Sequence, residues 1–150
     1  MSITIAVTGL HRGENPQPGH GVIRSLRRHS RDLNIIGLVY DVLESGIYAD
    51  PGADQIYQFP YPSAGAATVL GRLDYIHHCS PIDIFLPTLD SEIHLLVGIA
   101  DEIKKRGIRC MLPSEASYQA RSKSNLGQLA ESCQMHTPLS ETVADVDRLV

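Results

Sequence analysis

Gly9, Gly13, Gly19 and Gly21 fall in one stretch, Gly9-Leu-His-Arg-Gly13-Glu-Asn-Pro-Gln-Pro-Gly19-His-Gly21, which leaves an apolar strand and enters a helix beginning near Val22. That pattern suits the holding of an anion. Glycine permits positive φ and close backbone approach, and a helix start presents unpaired N–H groups and the positive end of its dipole. The spacing is not the G-x-G-x-x-G of a dinucleotide site, and no G-K-[ST] follows as in a P-loop. A tight strand-to-helix connection would use the same residues.

Other residue types carry weaker signals. Glu92 follows Pro87-Thr-Leu-Asp-Ser at the end of an apolar run, where it is either a ligand contact or a first-turn acid complementing a helix dipole. Asp90 reads as the N-cap of that helix. Asp41 ends the second apolar run at the place where a dinucleotide enzyme holds its ribose, but the glycine fingerprint that would go with it is missing. His77 and His78 are adjacent on a helix and so point about a hundred degrees apart, which suits a polar helix end better than a metal site. His11 and His20 flank the glycine turn and could hydrogen-bond an anion, though loop histidines are usually just solvated. No catalytic residue and no metal ligand set is assigned.

The elements that must position these groups alternate regularly. Strands are expected near residues 3–8, 35–40, 55–59, 82–86 and 108–112, with helices between them. The first helix buries Val22, Ile23 and Leu26. The second starts near Ser63 and carries Ala66, Val69, Leu70, Leu73 and Ile76 on one stripe. The third runs from Asp90 or Ser91 through Ile103 to a cationic last turn, Lys104-Lys105-Arg106, and a glycine stop at Gly107. Continuous apolar runs such as Ile35-Ile36-Gly37-Leu38-Val39 belong to strands covered on both faces. The fold class predicted is therefore α/β, a Rossmann-like doubly wound parallel sheet of about five strands with the first strand internal. In such sheets ligands lie beyond the carboxyl ends of the strands, so the Gly9–Gly21 turn and the Pro87–Glu92 segment are expected to share one cleft.

Length and charge set the outer limits. The chain of 150 residues is one ordinary domain in size, and its net charge of −4 argues against a nucleic-acid surface. Its one basic cluster, Arg24, Arg27, Arg28 and Arg31, reads as solvated partners of a helix C-terminus. Cys79, Cys110 and Cys133 are far apart and form no C-x-x-C pair, which points to reduced thiols in a cytoplasmic protein. No basic, then apolar leader and no bilayer-length apolar run occurs, so no membrane partner is expected.

In order and spacing, several pieces resemble the N-terminal (preATP-grasp) domain of ATP-grasp proteins, the group that includes the carbamoyl phosphate synthase large subunit and biotin carboxylase. They are Thr8-Gly9 with Asn15-Pro16-x-Pro18-Gly19-x-Gly21-Val-Ile-Arg-Ser-Leu-Arg27, Gly37-Leu-x-Tyr-Asp41, Pro87-Thr-Leu-Asp-Ser-Glu92, and Lys123-x-x-Leu126 followed by Thr137-Pro138. Two positions depart from the family pattern: Ser122 stands where an acid usually precedes the lysine, and Gln134 where a glycine is usual.

The resemblance implies the substrate-side domain of an ATP-dependent, ADP-forming carboxylate ligase, inactive by itself, with Gly9, Gly19, Gly21 and Glu92 at the substrate and Lys123 at the nucleotide. It implies ATP and Mg2+ as cofactors of the full-length protein, none held tightly by this chain. The partners implied are a small carboxylate or bicarbonate and downstream ATP-grasp domains of the same chain, with a homodimer left open. Residues 1–121 would form the Rossmann-like domain, and residues 122–150 an exit helix and the start of the connection to the next domain. The alternative is a self-contained Rossmann-like module that binds a nucleotide or small anion.

Overall fold

The computed structural model describes residues 2–30, 32–138, 143 and 145. The chain divides into two compact units, Met1–Leu112 and Pro113–Val150.

The first unit is a five-stranded, wholly parallel sheet. Its strands are β1 (Thr4–Val7), β2 (Asn34–Val39), β3 (Gln55–Gln58), β4 (Ile84–Leu86) and β5 (Arg109–Cys110), in the order β3-β2-β1-β4-β5. The expected strand pattern is present, and the first strand is central, with all four of its residues buried. Its register sets Ile5 opposite Ile35 on one side and opposite Ile84 on the other. The predicted fifth strand, 108–112, shortens to two residues at the sheet edge, where Met111 lies exposed.

Side-chain alternation along the strands divides the core in two, because successive residues point to opposite faces. Ile5, Val7, Ile35 and Val39 pack with Ile23 under α1 (Gly19–His29). Ala6, Ile36, Leu38 and Phe85 pack under α2 (Ala66–Cys79), α3 (Asp90–Gly98) and α4 (Ala100–Lys105), which contribute Val69, Leu73, Ile76, Leu96 and Ile103. Fully burying an aliphatic side chain of this kind contributes about 1.5–3 kcal/mol before entropy is set against it.

Several boundaries differ from the sequence expectation, each for a local reason. α1 begins at Gly19, three residues before Val22, where the chain passes so close to the Thr8 and Gly9 carbonyls that only glycine fits. A short 3-10 turn, Pro62–Ala64, precedes α2. The helix expected to run unbroken from Asp90 to Ile103 is two helices that part at Ile99, directly after Gly98, a poor helix former. Leu89, and not Asp90, occupies the N-cap position of α3.

In the second unit, Ser114 caps α5 (Glu115–Ala120) by accepting a hydrogen bond from the Ser117 N–H. A 3-10 turn, Lys123–Asn125, leads into α6 (Leu126–Ser132). Gln134 follows with φ +56°, a left-handed conformation that glycine adopts most easily. Residues 139–142, 144 and 146–150, where a further helix start is expected, lie outside the described residues.

Candidate functional site

The glycine turn crosses from the carboxyl end of β1 to α1, and the 87–92 segment joins β4 to α3. β1 and β4 are neighbours, so the two loops meet at one edge of the sheet. Thr8 is the junction. Its hydroxyl donates to Glu92 Oε2 at 2.8 Å and accepts from the Thr88 N–H at 2.9 Å, while the Thr88 hydroxyl donates back to the Thr8 carbonyl at 2.9 Å.

Each glycine of the predicted site has its own constraint. Gly9 is buried with φ +70°, and a Cβ there would strike Thr88 Oγ1. Gly19 lies against the backbone: a Cβ would overlap the carbonyl oxygens of Thr8 and Gly9, and its N–H donates to the Gly9 carbonyl at 2.9 Å. Gly21 is exposed, and a Cβ there would meet nothing within 4 Å. Gly9 and Gly19 are thus demanded by the turn itself. Gly21 is not. The N–H groups of the first helical turn, at His20 and Gly21, have no carbonyl four residues back within the helix. His20 is buried in that turn and not solvated, unlike His11; burial lowers its pKa, and the cationic side chains of Arg12 and Arg24 lower it further.

Glu92 is 2% exposed, and both of its oxygens are engaged. Oε1 accepts from the Tyr40 hydroxyl at 2.5 Å; Oε2 accepts from Thr8 and from the Leu89 N–H at 3.3 Å. One carboxyl therefore ties together the carboxyl ends of β1 and β2 and the start of α3. Burial raises the Glu92 pKa, more than the hydrogen bonds from Tyr40, Thr8 and the backbone lower it. The same burial, with the adjacent Glu92 and Glu44 carboxyls, pushes the Tyr40 phenol up.

Glu44 gave no signal in the sequence analysis, yet it closes the β2 end of the site. Its Oε1 accepts from the Tyr40 N–H at 2.7 Å and the Asp41 N–H at 3.3 Å. Oε2 is buried without a hydrogen-bond partner among the described residues, which leaves an acceptor open to a ligand or a water. Tyr61 stacks on Tyr40, with ring centroids 4.8 Å apart, and stands 56% exposed beside Pro60 and Arg72 around a cavity of about 400 Å³. The Tyr-Asp pair ending the second strand was visible in the sequence. The partner four residues later was not, because nothing in the spacing requires that glutamate to fold back.

The remaining candidates fall elsewhere. Asp41 is exposed and accepts from the Leu43 N–H, an Asx turn. His77 Nδ1 accepts from the Ile82 N–H at 2.9 Å, so it fastens the end of α2 to the chain entering β4. Lys123 is exposed and belongs to the second unit. Among the described residues there is no cluster of three or more His, Cys, Asp or Glu placed to hold a metal ion, and no helix is long and apolar enough to cross a membrane.

Parallel order, helices on both faces and loops gathered at the carboxyl edge define a Rossmann-like α/β domain. Solved structures of a much larger protein contain this fold. Rhizobium etli pyruvate carboxylase T882A with the allosteric activator acetyl coenzyme-A superposes with a TM-score of 0.58 at 14% identity, covering 98% of this chain and 14% of that one. The complete multifunctional pyruvate carboxylase from Rhizobium etli gives a TM-score of 0.57 at 15% identity, covering 95% of this chain and 15% of that one. This chain thus spans about a seventh of the length of those proteins, and at such identity the likeness shows the fold. No family model and no curated protein matches the sequence.

Proposed function

We propose that this chain is the N-terminal, substrate-side domain of an ATP-dependent, ADP-forming carboxylate ligase of the ATP-grasp kind. The observation that carries the reading is the superposition of nearly the whole chain on a small part of a multidomain carboxylase, together with the ordered motifs from Thr8 to Pro138. Such ligases activate a carboxylate or bicarbonate as an acyl phosphate with Mg-ATP, for attack by an amine or similar nucleophile. ATP and Mg2+ would be held mainly by the following domains, because phosphoryl transfer needs several converging donors and carboxylates and this chain offers one candidate contact, Lys123.

The chain's own task in this reading is to shape one wall of the substrate pocket. The Gly19–Gly21 turn would present N–H groups to an anionic substrate. Glu92 would hold Thr8 and Tyr40 in register beneath it, as a positioning residue. Residues 122–150, with Lys123 at their start, would lead out toward the nucleotide.

Isothermal titration of the chain with Mg-ATP, beside an ADP-release assay, tests this. No binding tighter than about 100 μM, weaker than about −5.5 kcal/mol, and no ADP release are expected. A chain extended by its downstream domains should release ADP in a magnesium- and carboxylate-dependent manner. Low-micromolar binding or steady ADP release by the chain alone would overturn the reading in favour of a self-contained nucleotide-binding module.

A further inference from the structure

The opposite edge of the sheet carries a second feature. α1 contains no acidic residue in its first turn and ends in Arg27, Arg28 and His29. Its arginines do not all behave as solvated dipole partners. The Arg27 guanidinium is fixed: Nη1 donates to the Leu33 carbonyl at 2.7 Å, and Nη2 donates to Asp54 Oδ2 at 2.5 Å and, more weakly, to the Gly52 carbonyl. Leu33 immediately precedes β2, Asp54 immediately precedes β3 and Gly52 lies in the loop leading to it, so this corner lies at the amino edge, away from the glycine turn. Asp54 also accepts from the Ile35 N–H at 2.6 Å, so the ion pair is built into the sheet and is not a loose surface contact.

Beside that fixed corner, Arg24 and Arg28 are exposed and make no hydrogen bond or ion pair with any described residue. Four residues apart on a helix, they stand on one side of it, and like charges so placed repel by a few tenths of a kcal/mol. With Arg27, Asp50 and Pro51 they line a groove of about 640 Å³. Asp54 neutralises Arg27 and Asp50 offsets one further charge, which leaves a net positive groove on a protein whose overall charge is −4. Guanidinium forks with free N–H donors match phosphate oxygens in geometry and charge.

We infer that the Arg24–Arg27–Arg28 groove at the amino edge of the sheet is a binding site for a small phosphate-bearing polyanion, separate from the glycine-turn site at the carboxyl edge. Arg24 and Arg28 supply the charged donors, and Arg27, held by Leu33 and Asp54, is the rigid side of the site. Asp50 sets an upper limit on affinity by repelling the ligand.

The test is calorimetric titration of the full chain with inorganic pyrophosphate, run in parallel with succinate. Pyrophosphate should bind more tightly than succinate, and raising NaCl from about 50 to about 500 mM should weaken it about tenfold or more, because the contacts are exposed and screenable. The double variant Arg24→Gln/Arg28→Gln should lose at least about tenfold in affinity, as removal of charge-assisted hydrogen bonds requires. It should keep the wild-type melting temperature, since neither side chain holds the fold. Asp50→Asn should tighten binding. A control of equal charge change on the surface, Lys104→Gln/Arg109→Gln, should leave it unchanged. Four outcomes overturn the assignment: no pyrophosphate binding, equal binding of succinate, equal loss in the control variant, or no response to Asp50→Asn.

Discussion

The Tyr40 hydroxyl donates to Glu92 Oε1 at 2.5 Å, joining two residues 52 positions apart in the chain across the carboxyl ends of β2 and β1. Both groups are almost fully buried, Tyr40 at 9% and Glu92 at 2% exposure. Buried carboxyls are stable only when their oxygens find donors, so this bond, with those from Thr8 and Leu89, is what permits an acid beneath the glycine turn.

Tyr40→Phe removes one donor and leaves Glu92 Oε1 unpaired in an apolar setting. A loss of about 1–3 kcal/mol in unfolding free energy is expected, the usual cost of a stranded buried acceptor. Urea denaturation of both proteins at neutral pH measures it, and an unchanged midpoint would mean that water replaces the phenol.

The two glycines at the start of α1 should respond in opposite directions. Gly19→Ala drives a methyl group into the carbonyls of Thr8 and Gly9, neither of which can yield without opening the turn, and should cost about 2–3 kcal/mol. Gly21→Ala meets open space and replaces a helical glycine, so stability should rise by about 0.5–1 kcal/mol. If the turn receives a substrate, the same added methyl should impair the activity of the extended, multidomain enzyme. Thermal melts and steady-state kinetics of the two variants separate the turn's structural demand from its binding role.

The pH dependence of stability follows from Glu92. Burial raises its pKa in the folded chain above the unfolded value. Between those two values the folded state binds more protons than the unfolded state, so stability falls as pH increases through that window. The contribution is fully present below the ordinary glutamate range and lost as pH rises past the raised pKa. Asp54 works the other way. Burial raises its pKa, but the Arg27 and Ile35 hydrogen bonds outweigh that and hold it low, so its contribution is present above the ordinary carboxylate range and lost on acidification. Glu92→Gln should therefore flatten the decline on the neutral side and leave the acid limb in place. Denaturation midpoints across pH 3 to about 8 measure both limbs.

Much of this architecture was legible in the residues. Continuous apolar runs marked β1 and β2 because both faces of those strands are covered, and prolines and glycines marked the turns. The site was legible only in outline. Strand-end logic brings Gly9 and Glu92 to one edge, but no local pattern distinguishes an acid that greets a ligand from one that turns inward, since that depends on Tyr40 and Thr8 arriving from distant parts of the chain. Glu44 was missed, and the arginine cluster was read only as solvated, for the same reason: their surroundings are assembled by tertiary contact. The break at Ile99 follows Gly98, whose low helix propensity interrupts an otherwise helical period.

Cys110 provides a chemical reporter of this edge of the sheet. Burial, with a further contribution from the negative charge of Glu92, pushes its thiol pKa up to about 12, whereas Cys79 and Cys133 are exposed. The thiolate is the reacting form, so at pH 8 only about one Cys110 in ten thousand would be competent even where reagent could reach it. Two of the three thiols should therefore react quickly with an aromatic disulfide reagent, and the third only at the rate at which β5 opens. Tyr40→Phe, by weakening the network around Glu92, should accelerate that slow phase and leave the two fast ones unchanged. A third thiol that reacts as fast as the others in the native protein would show that the β4–β5 edge is open in solution.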